Sequence, residues 1–379
     1  MEGVSKYLVK EKLIFLLAAV LLLVVAPLTL SGFRLNLLGK FLAFAILALG
    51  IDLIWGYTGI LSLGHGVFFG LGAYCMAMYL KLEAAAGKLP DFMVWSGLND
   101  LPWFWEPFRH AGFALGMAIL LPVVLATILG FLTFRNRIQG VYFSILSQAL
   151  AIIFTTLFIG QQKYTGGTNG LTNYKTILGY SLSSPVTQTV LYLITAVTLG
   201  WVYLLCRSMV KTRFGRVLMA IRDGENRARF TGYDPALYKV FIYAFSAGLA
   251  GLAGALFVTQ VGIISPAMMG IVPSIEMAIW VAIGGRGTLV GAILGAILVN
   301  AAKSSLSEAF PSAWLFFIGA LFVGVVIFFP EGIMGFLKSL SGQQRGKKYY
   351  GRLPQSILDM TKGGLGNGWH YSLLGKRHR

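Results

Sequence analysis

The chain has 379 residues, 56% hydrophobic and only 12% charged, with a mean hydropathy of +0.74, which excludes an ordinary soluble domain and implies an integral membrane protein. A formal net charge of +17 raises nucleic acid as a partner, but the basic residues sit in gaps between apolar runs rather than in a polar domain with an aromatic face, so they read as topology signals and nucleic acid is set aside. The two cysteines, Cys75 and Cys206, lie far apart in apolar segments with no metal or redox spacing; they read as packing residues, and neither metal nor cofactor is expected.

Taking roughly 20 apolar residues as one crossing, the sequence predicts an all-α polytopic membrane protein of about ten transmembrane segments, some broken or re-entrant. They fall near 13–31, 36–56, 60–80, 111–134, 140–160, 186–206, 236–261, 270–284, 288–308 and 312–330. The first follows Lys6, Lys10 and Lys12; its length and Pro27 favour a retained helix over a cleaved signal peptide. Segments two and three are joined by Gly56-Tyr57-Thr58-Gly59, and the glycines that follow, with Gly66 and Gly70 four apart, permit close helix approach or a broken helix lining a cavity. His65 in this run is either a functional ionisable group or a cap on a backbone carbonyl. Asp52 and Trp55 are expected at the membrane interface. The loop Glu83 to His110 carries Glu83, Asp91, Asp100 and Glu106 with Trp95, Trp103 and Trp105, suited to an aromatic belt or a docking surface.

Beyond the fifth segment, the turn Thr165-Gly166-Gly167-Thr168-Asn169-Gly170 is either a contact for a polar solute or partner, or an ordinary reversal. Lys211 to Asp234 is the longest strongly basic stretch between hydrophobic segments. Phe214, Val217, Leu218 and Ile221 share one face of a predicted short helix, and Arg216, Arg222 and Asp223 take the others. Gly224 is a plausible stop, Glu225 and Arg229 are spaced for an ion pair, and Asp234-Pro235 starts the next helix. This stretch is either a handle for a cytoplasmic partner or an amphipathic segment resting on anionic membrane lipid. Gly248, Gly251 and Gly254 imply tight helix packing, as do Gly291 and Gly295. In the short eighth segment Pro273 and Glu276 interrupt the apolar run, which suggests helix termini inside the protein and a path-lining or gating role for Glu276.

An even number of crossings puts both termini on one side. The N-terminus, Arg135 and Arg137, the Arg207 to Lys239 region, Arg286 and the tail after Lys338 hold 23 of the 31 basic residues, so that side is expected to be cytoplasmic. The chain has no Gly-x-x-x-x-Gly-Lys-Ser/Thr, no His-Glu-x-x-His and no Gly-x-Ser-x-Gly, so it is not expected to bind ATP through a P-loop or to be an enzyme. The one enzyme alternative is an intramembrane hydrolase using Ser62 and His65 as an i, i+3 pair. A passive channel or ion-coupled carrier, with His65 and Glu276 as ion sites, is the alternative among transport proteins.

Several of these stretches together resemble the permease subunits of branched-chain-amino-acid-type ABC importers. They are Gly56 to Gly59 with Ser62 to His65 and Gly70 to Tyr74, the turn Thr165 to Leu171, Phe214-Gly215-Arg216 to Ala220-Ile221-Arg222-Asp223, and Gly284-Gly285-Arg286-Gly287-Thr288. The similarity spans roughly residues 36 to 336. Asp91 to Trp95, Leu101 to Trp105 and Glu225 to Tyr233 are similar to the urea-importing branch. The resemblance implies a permease domain, expected over 1–337; the Gly-, Lys- and Arg-rich stretch 338–379 lacks a periodic core pattern, reads as a basic, flexible cytoplasmic tail and is less typical of the family, so its role is open. The resemblance also implies a second homologous permease subunit, two cytoplasmic ATPase subunits and a periplasmic solute-binding protein in a bacterial-type inner membrane. The stretch 211–234 would dock on the ATPase through Phe214, Gly215, Arg216, Val217, Leu218, Ile221, Arg222 and Glu225, with the apolar face entering a groove on the partner. Urea, neutral and small, needs hydrogen-bonding groups along its path; Ser62, His65, Gln148, Asn169 and Glu276 are the candidates. A branched-chain or other amino acid is the alternative solute.

Overall fold

The computed structural model describes residues 15, 17–138, 140–310, 316, 319, 320, 323, 324 and 332–335. Most of the predicted tenth segment and the whole basic tail 338–379 lie outside the described residues. Among the described residues, seven helices are long and apolar enough to cross a membrane, and two shorter apolar helices accompany them. In chain order they are α1 Leu17–Thr29 (short), α2 Gly32–Thr58, α3 His65–Ala84, α4 Ala111–Phe134, α5 Val141–Gly160 and α6 Pro185–Lys211, then the amphipathic α7 Arg213–Phe230, α8 Pro235–Val261, α9 Ile271–Gly284 (short) and α10 Leu289–Ala309. The chain is thus an all-α polytopic membrane protein.

Burial separates these helices into two groups. α2, α3 and α8 are buried along most of their length and form the core, where the rings of Phe44, Phe69 and Phe257 meet with centres 5.2 to 5.9 Å apart. α4, α5 and α6 bury one side and expose Leu120, Ile128, Ile152, Ile153, Val197 and Leu204 on the other, the surface a hydrocarbon solvent demands. Small residues set the closest approaches: a methyl group at Gly72 would overlap the Gly251 carbonyl, one at Gly254 the Phe69 carbonyl, and one at Gly295 the Trp280 carbonyl. The packing expected from the glycine spacing is therefore present.

Two segments differ from expectation. The predicted helix 60–80 begins only at His65. Gly59 ends α2 in the left-handed region (φ 75°), and Ile60 to Gly64 are not helical. Pro273 does not interrupt the eighth segment, because it falls in the first turn of α9, where its missing N–H breaks no helical bond. The basic loops gather at one end: Arg135, Arg137, Arg229 and Asp234 line one surface hollow there. At the other end, strand β1 Leu171–Thr172 pairs antiparallel with β4 Ile263–Ile264, next to the hairpin β2 Thr176–Ile177 and β3 Tyr180–Ser181.

Candidate functional site

At the basic end, one arginine ties α7 to the end of α2. Arg222 Nη1 donates to the Gly56 carbonyl at 2.7 Å, and its Nε meets Asp223 Oδ1 at 3.0 Å. The same turn of α2 grips the loop between α9 and α10: Gly287 N–H donates to Asp52 Oδ1 at 2.7 Å and Tyr57 O–H donates to the Gly287 carbonyl at 3.1 Å. Gly56 has to be glycine, since a methyl there would lie 2.5 Å from Asp52 Oδ1 and 2.7 Å from Gly287 Cα. Arg286 stacks over Trp55, 5.1 Å from the ring centre. Asp52 is therefore not at the interface, as its place near a helix end suggested. It is fully buried, and its Oδ2 has no hydrogen-bond partner among the described residues.

From this junction the chain turns back into the protein. His65, the first residue of α3, is fully buried with Nε2 2.8 Å from Ser246 Oγ, and Ser246 faces Gly50. Gly50 lies eight residues before the end of α2, about 12 Å of helix, so Ile60 to Gly64 form a re-entrant strap of that depth. Backbone groups at such depth need partners inside the protein. Ser144 Oγ donates to the Leu61 carbonyl at 2.8 Å, Leu63 N–H donates to Ser147 Oγ at 2.9 Å, and Gly66 N–H donates to Ser274 Oγ at 3.1 Å. His65 is a structural member of this buried turn, and its Nδ1 has no partner among the described residues. Ser62 sits in the strap and not on a helix, so the i, i+3 pair required by the hydrolase alternative is absent.

Toward the opposite end, α2, α9 and α10 enclose a cavity of about 180 Å³. Its charged wall is Lys40, Glu276 and Lys303, with Lys303 Nζ 2.7 Å from Glu276 Oε2; its floor is aromatic, with Phe44 and Trp280 4.8 Å apart and Phe69 alongside. Asn300, Ser304 and Ser307 complete the polar rim. Lys40 Nζ lies over the Phe44 ring, 5.9 Å from its centre. Glu276 thus lines a polar cavity, as a carboxylate within an apolar segment requires. α9, 14 residues or about 21 Å long, joins this cavity to the Gly287 junction.

The other predicted site residues do not gather around that cavity. Ser62 and His65 are buried in the strap, Gln148 is half-buried on α5 beside Ser147, and Asn169 is exposed on the glycine-rich turn. The apolar face of α7 is turned the other way from expectation. Val217, Leu218 and Ile221 are buried in this chain's own body, and Phe214 stacks on Tyr238 with centres 5.5 Å apart. With α8 and the end of α6 alongside, that face is already covered, so it cannot enter a partner's groove. Arg213, Arg216 and Phe230 are exposed instead, Phe230 at 92%. Gly224 leaves helical geometry as a stop would, but the helix resumes after it. There Glu225 pairs with Arg229 at 3.3 Å and with Lys239. Sequence reasoning passed over Lys40 and Lys303, although a lysine well inside an apolar run was the available signal. It also passed over Ser144, Ser147 and Ser274, which no spacing distinguishes from ordinary helix serines.

The far end carries an ordered cap. Lys81 Nζ pairs with Asp91 Oδ1 at 2.8 Å and donates to the Thr172 carbonyl at 2.9 Å, while Glu83 accepts from the N–H groups of Leu178 and Gly179 at 3.0 and 2.7 Å. Partial burial pushes the Asp91 carboxyl up, but the hydrogen bond and charge of Lys81, with the Phe92 N–H, outweigh it and hold the group below its ordinary 3.8. Trp95 and Trp103 project from this cap, each 83% exposed.

A family model described as branched-chain amino acid transport system / permease component matches residues 33–326. The chain is 26% identical over 366 residues to the high-affinity branched-chain amino acid transport system permease protein LivM of Escherichia coli, and to the same degree to that of Salmonella typhimurium. Each alignment covers 90% of this chain and 80% of the relative. It is 30% identical over 233 residues to the autoinducer 2 import system permease protein LsrC of Salmonella typhi, covering 58% of this chain and 64% of that one. No solved structure matches the chain.

Proposed function

Because the chain belongs to the branched-chain amino acid transport system / permease component family, we propose that it is a pore-forming subunit of an ATP-driven importer whose solute is urea. It works beside a second homologous permease subunit, with two ATPase subunits on the cytoplasmic side and a solute-binding protein on the periplasmic side of a bacterial-type inner membrane. The basic end with Arg222 faces the cytoplasm by the positive-inside rule. The observation that carries this reading is α9, one short helix whose first turns line the polar cavity and whose end is gripped at the junction with α7. ATPase movement received at α7 passes through Gly56 and Gly287 to the cavity wall. The partner holds α7 by its exposed side, Arg213, Arg216 and Phe230, rather than by the buried face.

Support for urea comes from the stretches similar to the urea-importing branch, two of which, Asp91 to Trp95 and Leu101 to Trp105, belong to the ordered cap. A second reading, an amino acid as solute, is favoured by the LivM relatives and by the ion pair Glu276–Lys303 set above an apolar aromatic floor. Cells carrying the full set of subunits should take up labelled urea in an energy-dependent manner, unaffected by excess leucine. Leucine uptake, with urea neither taken up nor competing, would replace urea by an amino acid. Uptake of urea that persists without the ATPases would overturn the importer reading in favour of a channel.

A further inference from the structure

We propose that the cavity walled by Lys40, Glu276 and Lys303 is the solute-binding subsite of this subunit, shaped for a small flat molecule that presents N–H donors on one edge and a carbonyl oxygen on the other. The inference rests on the importer reading above and adds to it the place where solute is held.

Lys40 lies eight residues inside α2 and Lys303 six residues before the end of α10, about 12 and 9 Å of helix from those ends. Charged side chains at such places are costly against hydrocarbon and belong to a water-filled path or a protein-lined site. The Glu276 and Lys303 side chains are 13% and 31% exposed, so they are neither sealed in the core nor spread on the surface. They sit at the mouth of a cavity.

Chemistry then narrows the ligand. Glu276 engages Lys303 through Oε2, and a carboxylate can accept at both of its oxygens. Lys40 and Lys303 each bring ammonium donors. A solute lying between them gives its N–H groups to Glu276 and accepts at its oxygen from a lysine. Phe44, Phe69 and Trp280 give the cavity an apolar aromatic lining beside these charges. Asn300, Ser304 and Ser307 at the rim can hold the water that such a solute sheds or keeps. Urea has this pattern of donors and acceptor on one plane. An amino acid presents an ammonium and a carboxylate in the same order, with a side chain that the aromatic floor would have to take.

The two sources are separated by competition in one assay. The full transporter, purified with its partner permease and ATPases, is placed in proteoliposomes with the binding protein outside, and initial uptake of labelled urea and labelled leucine is measured against concentration. Glu276→Gln and Lys40→Met are compared with the parent, with subunit assembly and basal ATP hydrolysis recorded for each. Losing one charge-assisted hydrogen bond should raise the urea concentration for half-maximal uptake about tenfold in variants that assemble. An unchanged half-saturation value in both variants would overturn the subsite. The same shift for leucine, in a parent that imports leucine and not urea, would keep the subsite and overturn urea as its ligand. A parent importing neither solute would refute the functional reading and, with it, the subsite. Should Glu276→Gln fail to assemble, Lys40→Met decides alone, because Lys40 is outside the Glu276–Lys303 pair.

Discussion

Asp91 ties the cap to the membrane domain through Lys81, and its carboxyl sits below the ordinary carboxylate value in the folded chain. A group whose folded pKa is depressed contributes stability that is fully present above its unfolded pKa and is lost as pH falls through the folded one. The cap should therefore loosen on acidification below 3.8, and only modestly, since the Asp91 side chain is 42% exposed and the pair is solvent-screened. Fluorescence of Trp95 and Trp103 in detergent reports this directly. Asp91→Asn should have the looser cap already at neutral pH and lose the acid-dependent step. An identical acid transition in both proteins would assign the step to another group.

α7 shows how a correctly recognised helix can still be read with the wrong side outward. Its apolar spacing was legible, as were the Glu225–Arg229 pair and the Asp234 cap, whose Oδ1 accepts from Ala236 N–H at 3.0 Å. The spacing specifies a buried face without specifying who buries it, and here Tyr238 and the chain's own helices do. Asp52 was misread for a related reason. Distance along the chain placed it near a helix end, but the Gly285 to Thr288 loop folds over that end and buries it. Glycine spacing, by contrast, predicted packing well, because small residues act through their own lack of volume and need no knowledge of the neighbour. The junction makes a prediction at this scale. Arg222→Met keeps the side-chain stem but removes the donor to Gly56, so the ATPase should still co-purify while energised uptake falls about tenfold. Phe230→Ala should do the reverse and weaken co-purification. Uptake at the parental rate in Arg222→Met would show that movement reaches α9 by another route.

At the scale of the whole molecule, a cavity and the Gly56–Gly287 junction lie at opposite ends of one short helix, and α4, α5 and α6 turn apolar sides outward. The side assignment can be checked by single cysteines placed at Arg135 and at Trp103 in intact cells. An impermeant thiol reagent should label Trp103→Cys and leave Arg135→Cys untouched, and the reverse pattern would invert the topology. Cys75 and Cys206 are buried and should stay silent in that experiment. The re-entrant strap also has a consequence for biosynthesis. Leu61 waits for its hydrogen-bond donor on Ser144, 83 residues later in the chain, roughly 4 to 17 seconds at 5 to 20 residues per second. Throughout that interval the α2–α3 pair cannot be settled in lipid with its polar backbone satisfied. It must be sheltered by the insertion machinery or remain hydrated, so the order in which helices leave that machinery is written into two serines of α5.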